Sequence, residues 1–349
     1  MKEGYRLLGD FIQPVDERNR DLKIDYLLGV SISKQFIPSI ANIVGTDLSS
    51  YKIVRTGQFA YGPVTSRNGE KISIALLRDN DCIISSSYTV FEVVNKNELD
   101  PEYLMLWFSR PEFDRYARYM SHGSVREIFD WDELCKVELP VPSIDKQRSI
   151  VKAYQTITER IELKRRINDN LEAVLAASHS KMFFSKDTSE HSKLGELMTF
   201  GNGKSRPKTD GTIPVYGGNG VLSYTDQHNI ENAVLIGRVG AYCGSVYLEQ
   251  GICWVSDNAI FAKSKITKDE FFDYFLLKRL NLFNHHVGTG QQLLTQEILN
   301  NIEVPKPVTE QIELFNRKAA SVFGTIFTNS REIIRLQELS DLLLSRLSG

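Results

Sequence analysis

Several features that would mark a chain of 349 residues as an enzyme or a membrane protein are missing here. There is no GxxxxGK[ST] run, so no phosphate loop of an ATP-driven motor. No Asn-Pro-Pro-aromatic segment occurs, no GxGxxG opens a βαβ unit, and no carboxylate ladder has the spacing of a Mg²⁺ nuclease. A catalytic residue is therefore not expected. No apolar run reaches the ~18 residues of a membrane span, and the start, Met1-Lys2-Glu3-Gly4, lacks a signal-peptide core. The expected location is cytoplasmic, away from any membrane. Cys82, Cys135, Cys243 and Cys253 show no CxxC spacing and read as reduced thiols. His285-His286 has no Glu or Cys at ligand spacing and reads as a polar helix end, so no metal site is expected. A strong basic excess is lacking too: 42 Lys and Arg face 44 Asp and Glu, for a net charge of −2. That counts against a uniformly basic nucleic-acid binder and leaves local basic loops open. An acidic excess lies in residues 1–144 and a basic one in 145–184.

What is present is self-similarity at a period of about 165 to 185 residues. Leu8-Gly9-Asp10-Phe11 is echoed by Leu194-Gly195-Glu196-Leu197, and Phe59-Ala60-Tyr61 by Val234-Leu235-Ile236. Ser87-Tyr88-Thr89-Val90-Phe91 matches Asp257-Asn258-Ala259-Ile260-Phe261, and Tyr103-Leu104 matches Tyr274-Phe275. Gly123-Ser124-Val125-Arg126 matches Gly288-Thr289-Gly290-Gln291, and Leu139-Pro140-Val141-Pro142 matches Val304-Pro305-Lys306-Pro307. Each proline pair is followed by a glutamine, Gln147 or Gln311, and then by a long helical pattern. Any one match is weak, but all of them in the same order are not chance. The chain thus reads as α+β, with a mixed head over residues 1–143, a spacer helix over 144–185, a second head over 186–307 and a second helix over 308–349. One amphipathic helix is expected in each head, near Pro101–Tyr119 and Lys268–Asn284, with Ser143 and Thr309 as N-caps of the long helices.

The long helices carry apolar steps of alternating 3 and 4 residues, the pattern of a coiled-coil seam. In the first the seam runs Ile150, Tyr154, Ile157, Ile161, Lys164, Asn168, Leu171, Leu175, Ser178, Met182. In the second it runs Ile312, Phe315, Ala319, Val322, Ile326, Asn329, Ile333, Leu336, Ser340, Leu343, Leu347. Both turn polar near the middle. Antiparallel pairing about the midpoints would bring Lys164 and Asn168 to Asn329, either as a layer that fixes register or as side chains reaching out to water. Two similar heads on such a pair would sit on a rod of at most ~60 Å, able to meet one face of a DNA duplex a helical turn apart. Because the heads differ, the expected target is two different half-sites across an unread spacer.

The run from Gly203-Lys204-Ser205-Arg206-Pro207 through Thr212-Ile213-Pro214-Val215-Tyr216-Gly217-Gly218-Asn219-Gly220 resembles the second recognition domain of type I restriction-modification specificity subunits. So does the hairpin-like Val234-Leu235-Ile236-Gly237-Arg238-Val239-Gly240-Ala241-Tyr242-Cys243. The Pro142…Gln147 and Pro307…Gln311 joints match that family's entry into its spacer helices. The resemblance implies two target recognition domains, binding to double-stranded DNA, and docking of two DNA methyltransferase subunits. Restriction subunits would add to that assembly. S-adenosylmethionine would be bound by the methyltransferases, which flip and methylate an adenine in each half-site, and no cofactor by this chain.

Within that frame, Lys204, Ser205, Arg206 and Lys208 form a glycine-flanked basic loop suited to phosphates or guanine edges. Arg238 and Tyr242 lie at a glycine-spaced tip, Asn219 in a glycine turn, and Gln291 and Gln292 suit adenine. Head one offers Tyr61, Arg67, Lys71, Tyr88 and Arg126. A solvated loop or a structural ion pair is the alternative for each. For the whole chain the competing reading is a two-headed coiled-coil scaffold that binds proteins without touching DNA.

Overall fold

The computed structural model describes residues 4–39, 45–66, 68–122, 127–185, 190–288 and 290–348. The chain forms two compact units, Met1–Leu163 with Ile333–Gly349, and Lys164–Glu332. Both long helices, Ile144–Phe183 and Thr309–Ser345, contribute residues to each unit.

Unit one is built on four antiparallel strands in the order Ile12–Val15, Thr89–Val93, Phe59–Tyr61, Ile74–Leu76. Side chains alternate across a strand, so one face carries Phe59, Tyr61, Ile74, Leu76 and Phe91, and the other Ala60, Ala75 and Val90. The first face meets the helices: Phe59 stacks on Phe91 with ring centroids 4.9 Å apart, and Phe108 meets Phe59 edge-on at 5.8 Å. The second is covered by Leu28, Val30, Val54 and Cys82 from the hairpin Leu28–Pro38 and the two-stranded pairing of Lys52–Val54 with Cys82–Ile84.

The helix expected over Pro101–Tyr119 is two helices, Pro101–Phe108 and Pro111–Tyr119. Pro111 lacks an amide hydrogen and pushes Arg110 to ψ 140°, out of the helical region. Nor is the first one amphipathic. Every residue from Tyr103 to Phe108 is buried, so the helix is apolar all round and serves as core. Its N-terminus is capped by Asp100, which accepts from the amides of Glu102 and Tyr103.

Unit two has a six-stranded sheet in the order Met198–Asn202, Ala259–Ser264, Ile230–Gly237, Val246–Val255, Ile213–Gly217, Gly220–Thr225. All neighbours are antiparallel except Val246–Val255 and Ile213–Gly217. Val234 and Ile236 face the helix Phe271–Arg279, while Ala233 and Leu235 face away. This helix is also buried on all sides from Phe271 to Leu277, and it stops earlier than expected because Asn281 takes a left-handed conformation at φ 45°.

The repeat is visible in the pairing. Tyr5–Leu7 pairs with Glu138–Pro140 in unit one, as His191–Lys193 pairs with Glu303–Pro305 in unit two. All the seam positions named above are buried or half-buried. Val151, Leu344 and Leu347 join the core of unit one; Leu175, Ile312, Phe315 and Ala319 join that of unit two. Thr309 proves to be the first residue of its helix and not its cap, since the Ile312 amide donates to the Val308 carbonyl.

Candidate nucleic-acid interface

In unit two, five loops converge at one end of the sheet's strands. The strand Ile230–Gly237 ends in a tight turn whose closure depends on Gly237: a β-carbon there would lie 2.2 Å from the Tyr242 carbonyl. The turn is fastened by Gly244 N–H donating to the Gly237 carbonyl at 2.8 Å, and by Ser245 Oγ donating to the Gly218 carbonyl at 2.5 Å. The second of these ties Asn219 beside Arg238 and Tyr242. Arg238 N–H donates to the Asn258 carbonyl, and Gly240 N–H to the Gln292 carbonyl, both at 3.0 Å. The basic loop joins through Lys204 N–H to the Val255 carbonyl at 2.9 Å. Such an approach needs glycine at 203, where a β-carbon would fall 2.0 Å from the Ser256 carbonyl. Beyond Lys208 the loop is tied again by Thr209 Oγ1, 3.0 Å from Thr225 Oγ1.

Lys204, Ser205, Arg206, Lys208, Asn219, Tyr242 and Gln291 are exposed, and Arg238 and Gln292 half-buried. Among the described residues none of the four cations makes an ion pair, and Arg238 Nη1 reaches only the Asp257 carbonyl at 3.4 Å. Cations left without carboxylates on glycine-tethered loops can neutralise phosphates or fork onto a base.

Unit one builds the corresponding place. Val64 and His122 both bridge to Ile128, as Val239 and Val287 both bridge to Leu293. A cleft of about 310 Å³ beside this junction is lined by Val30, Gly62, Asn68, Ser73, Ser87 and Tyr88. Tyr88 is half-buried in it and Lys71 is exposed on the adjoining loop. Tyr61 is a correction. It is fully buried in the aromatic face of the sheet, with burial pushing its phenol upward, and cannot meet a ligand from solvent. Its position in the sequence looked like a loop-proximal aromatic, but the strand period turns it inward. Arg67 and Arg126 lie outside the described residues.

Within unit two the helices meet at the polar layer. Lys164 Nζ donates to Asn329 Oδ1 at 2.9 Å and pairs with Glu332 at 2.8 Å. Asn329 Nδ2 donates to Asn168 Oδ1 at 2.9 Å, and Asn168 Nδ2 approaches Ser330 Oγ at 3.4 Å. Lys164 and Asn168 both meet Asn329, and the falling partner numbers mark the pairing as antiparallel.

Sequence reasoning missed Asp257 and Asn258, exposed in the turn between Lys204 and Arg238. The repeat had matched them to Ser87 and Tyr88 as the start of a strand, and that match was the available signal.

A family model described as the type I restriction modification DNA specificity domain matches residues 34–173 and again 186–339. The chain belongs to this family, whose members are in general non-catalytic. It is 25% identical over 154 residues to the Type I restriction enzyme HindI specificity subunit of Haemophilus influenzae, an alignment covering 42% of this chain and 32% of that one. The chain thus spans about a third of that relative. It is 20% identical over 305 residues to the MjaIX specificity subunit of Methanocaldococcus jannaschii, covering 73% and 70%. The crystal structure of the type I S subunit from M. genitalium superimposes with a TM-score of 0.64 at 16% identity, over 99% of this chain and 96% of that one, and so shares the fold. No helix among the described residues is long and apolar enough to cross a membrane.

Proposed function

We propose that each unit reads one half of a bipartite, asymmetric DNA site and that the paired helices hold the two readers at a set spacing. The observation that carries this is the duplicated loop junction. It is built on the same bridges in both units but presents hydroxyls and a tyrosine in one and unpaired cations, an acid and amides in the other. Base choice lives in such side chains, and phosphate contacts only position them. Two DNA methyltransferase subunits dock on the chain, bring S-adenosylmethionine, and methylate an adenine in each half-site; restriction subunits join the same assembly in the cytoplasm. This chain supplies target choice and binds no cofactor or metal.

The test is to map methylated adenines in the DNA of a host carrying the complete system. Two dissimilar half-sites at one fixed spacing support the reading, and a single continuous motif or no chain-dependent methylation defeats it. Duplex binding by the full chain should also fall linearly with salt on a log–log scale, which a protein-only scaffold would not require. The Lys164–Asn168–Asn329 layer fixes helix register, so Asn329→Leu should loosen the spacing preference; an unchanged spacing would remove that role.

A further inference from the structure

Resting on the reading just given, we propose that Asp257 is a specificity-determining residue of unit two, accepting a hydrogen bond from the N4 amino group of a cytosine in the major groove. Asp257 is exposed at the tip of the turn that follows Val255, flanked by the basic loop and by Arg238. Its carbonyl receives Arg238 Nη1, but its carboxylate enters no ion pair among the described residues, although Lys204 and Arg238, neither of them in an ion pair, flank it. A carboxylate held on a surface that approaches phosphates is repelled unless a base donates to it. In the major groove only cytosine N4 and adenine N6 donate. Adenine sets its N7 lone pair beside the amino group, where it opposes a carboxylate, whereas cytosine offers the amino group alone. The carboxylate thus selects cytosine and disfavours sites without a donor at that position. In unit one the matched turn carries Ser87 and Tyr88, which are uncharged and line the cleft, so the two units place different chemistry at one position of the same scaffold.

The experiment is selection from a pool of random duplexes by the full-length chain, at one fixed salt concentration, for wild type, Asp257→Ala and Asp257→Asn. The wild type is expected to enrich a motif with cytosine at a position where Asp257→Ala loses at least tenfold of its preference while every other position is kept. Asp257→Asn, able to donate to N7 and accept from N6, is expected to move that preference to adenine. Matching thermal unfolding curves exclude misfolding as the cause; a variant that unfolds early is replaced by Asp257→Ser in the same selection. An unchanged motif in Asp257→Ala, or an equal loss on all sequences, overturns the role of Asp257 and leaves the DNA reading intact. A wild type that enriches nothing overturns the DNA reading itself, and this proposal with it.

Discussion

Buried charge is handled in opposite ways at one site of unit one and two sites of unit two. In unit one Lys34 and Asp114 are both nearly inaccessible, 2.6 Å apart, and Asp114 also accepts from the Ile72 amide at 3.1 Å. The pair pins the hairpin Leu28–Pro38 onto the helix Pro111–Tyr119, beside the cleft that holds Tyr88. In unit two Glu270 is likewise buried and paired with Lys263 at 2.6 Å, but two other buried titratable groups, His179 and Asp273, lack such a partner. His179 lies among Phe183, Phe184, Phe272, Phe275 and Phe315 with its Nε2 unsatisfied, and burial, with Arg279 nearby, lowers its pKa to about 4. Asp273 has neither carboxylate oxygen hydrogen-bonded. Burial raises its pKa to about 7, with Ser264 pulling down and the Glu270 charge pushing up. The Lys34–Asp114 site is thus a satisfied ion pair, while the His179 and Asp273 sites in the other unit hold uncompensated polar groups. The first arrangement is costly to break, and the second gains when the polar group is removed.

The largest effect should come from breaking the satisfied pair. Lys34→Met leaves Asp114 buried without its cation and should cost about 3–5 kcal/mol in denaturant unfolding. Amide exchange should place the loss in unit one, and a uniform loss over both units would show that the pair is not local to its hairpin.

Next is Asp273→Asn, which should stabilise unit two. The folded pKa lies above the unfolded one, so wild type pays increasingly as pH rises from about 4 to about 7, and the penalty is constant above that. The gain should therefore be near zero at pH 4 and up to roughly 4 kcal/mol at pH 8, at ~1.4 kcal/mol for each pH unit between about 4 and about 7. A pH-independent difference would mean the proton is not what matters. His179 has the opposite sign. Folding favours its neutral form, so stability falls as pH drops from 6.5 toward 4, by up to about 1.4 kcal/mol per pH unit. His179→Leu should flatten that acid limb and, by removing the unsatisfied Nε2, raise stability somewhat near pH 8.

The seam of the long helices was legible because period and burial agree: a side chain every 3 or 4 residues on one face is the signal that packing requires. The polar layer was legible for the same reason, since Lys164, Asn168 and Asn329 interrupt an apolar series. The two-unit plan followed from repeated segments in fixed order. Sidedness within short strands was not legible. Tyr61 sits in a three-residue strand, too short for alternation to say which face is inward, and its core partner Phe91 is distant in sequence. The break at Pro111 was written in the chain, but the continuous apolar run before it outweighed it. The burial of His179 and Asp273 has no local signal, because nothing nearby in the sequence announces that five phenylalanines or an inward-facing helix will enclose them.

The smallest effect tests the one place where the repeat misled. Aligned on the proline pairs, Gln147 and Gln311 look equivalent. Gln147 is fully buried and fastens the start of the helix Pro101–Phe108: its Oε1 accepts from the Asp100 amide, and its Nε2 donates to the Glu98 and Pro142 carbonyls, each at 2.8 Å. Gln311 is exposed. Its expected task falls to Asn316, whose Oδ1 accepts from the Phe272 amide at 2.9 Å and whose Nδ2 donates to Thr267 Oγ1 and the Asp269 carbonyl. The clamp between long helix and head helix is kept in both units, but in unit two it lies further along the long helix on a shorter side chain. Removing either clamp strands buried backbone groups, so Gln147→Ala and Asn316→Ala should each cost about 1–3 kcal/mol. Gln311→Ala should stay within about 0.5 kcal/mol of wild type, as surface changes do. A Gln311→Ala cost equal to that of Gln147→Ala would put the clamp back where the sequence alignment had it and remove Asn316 from the role.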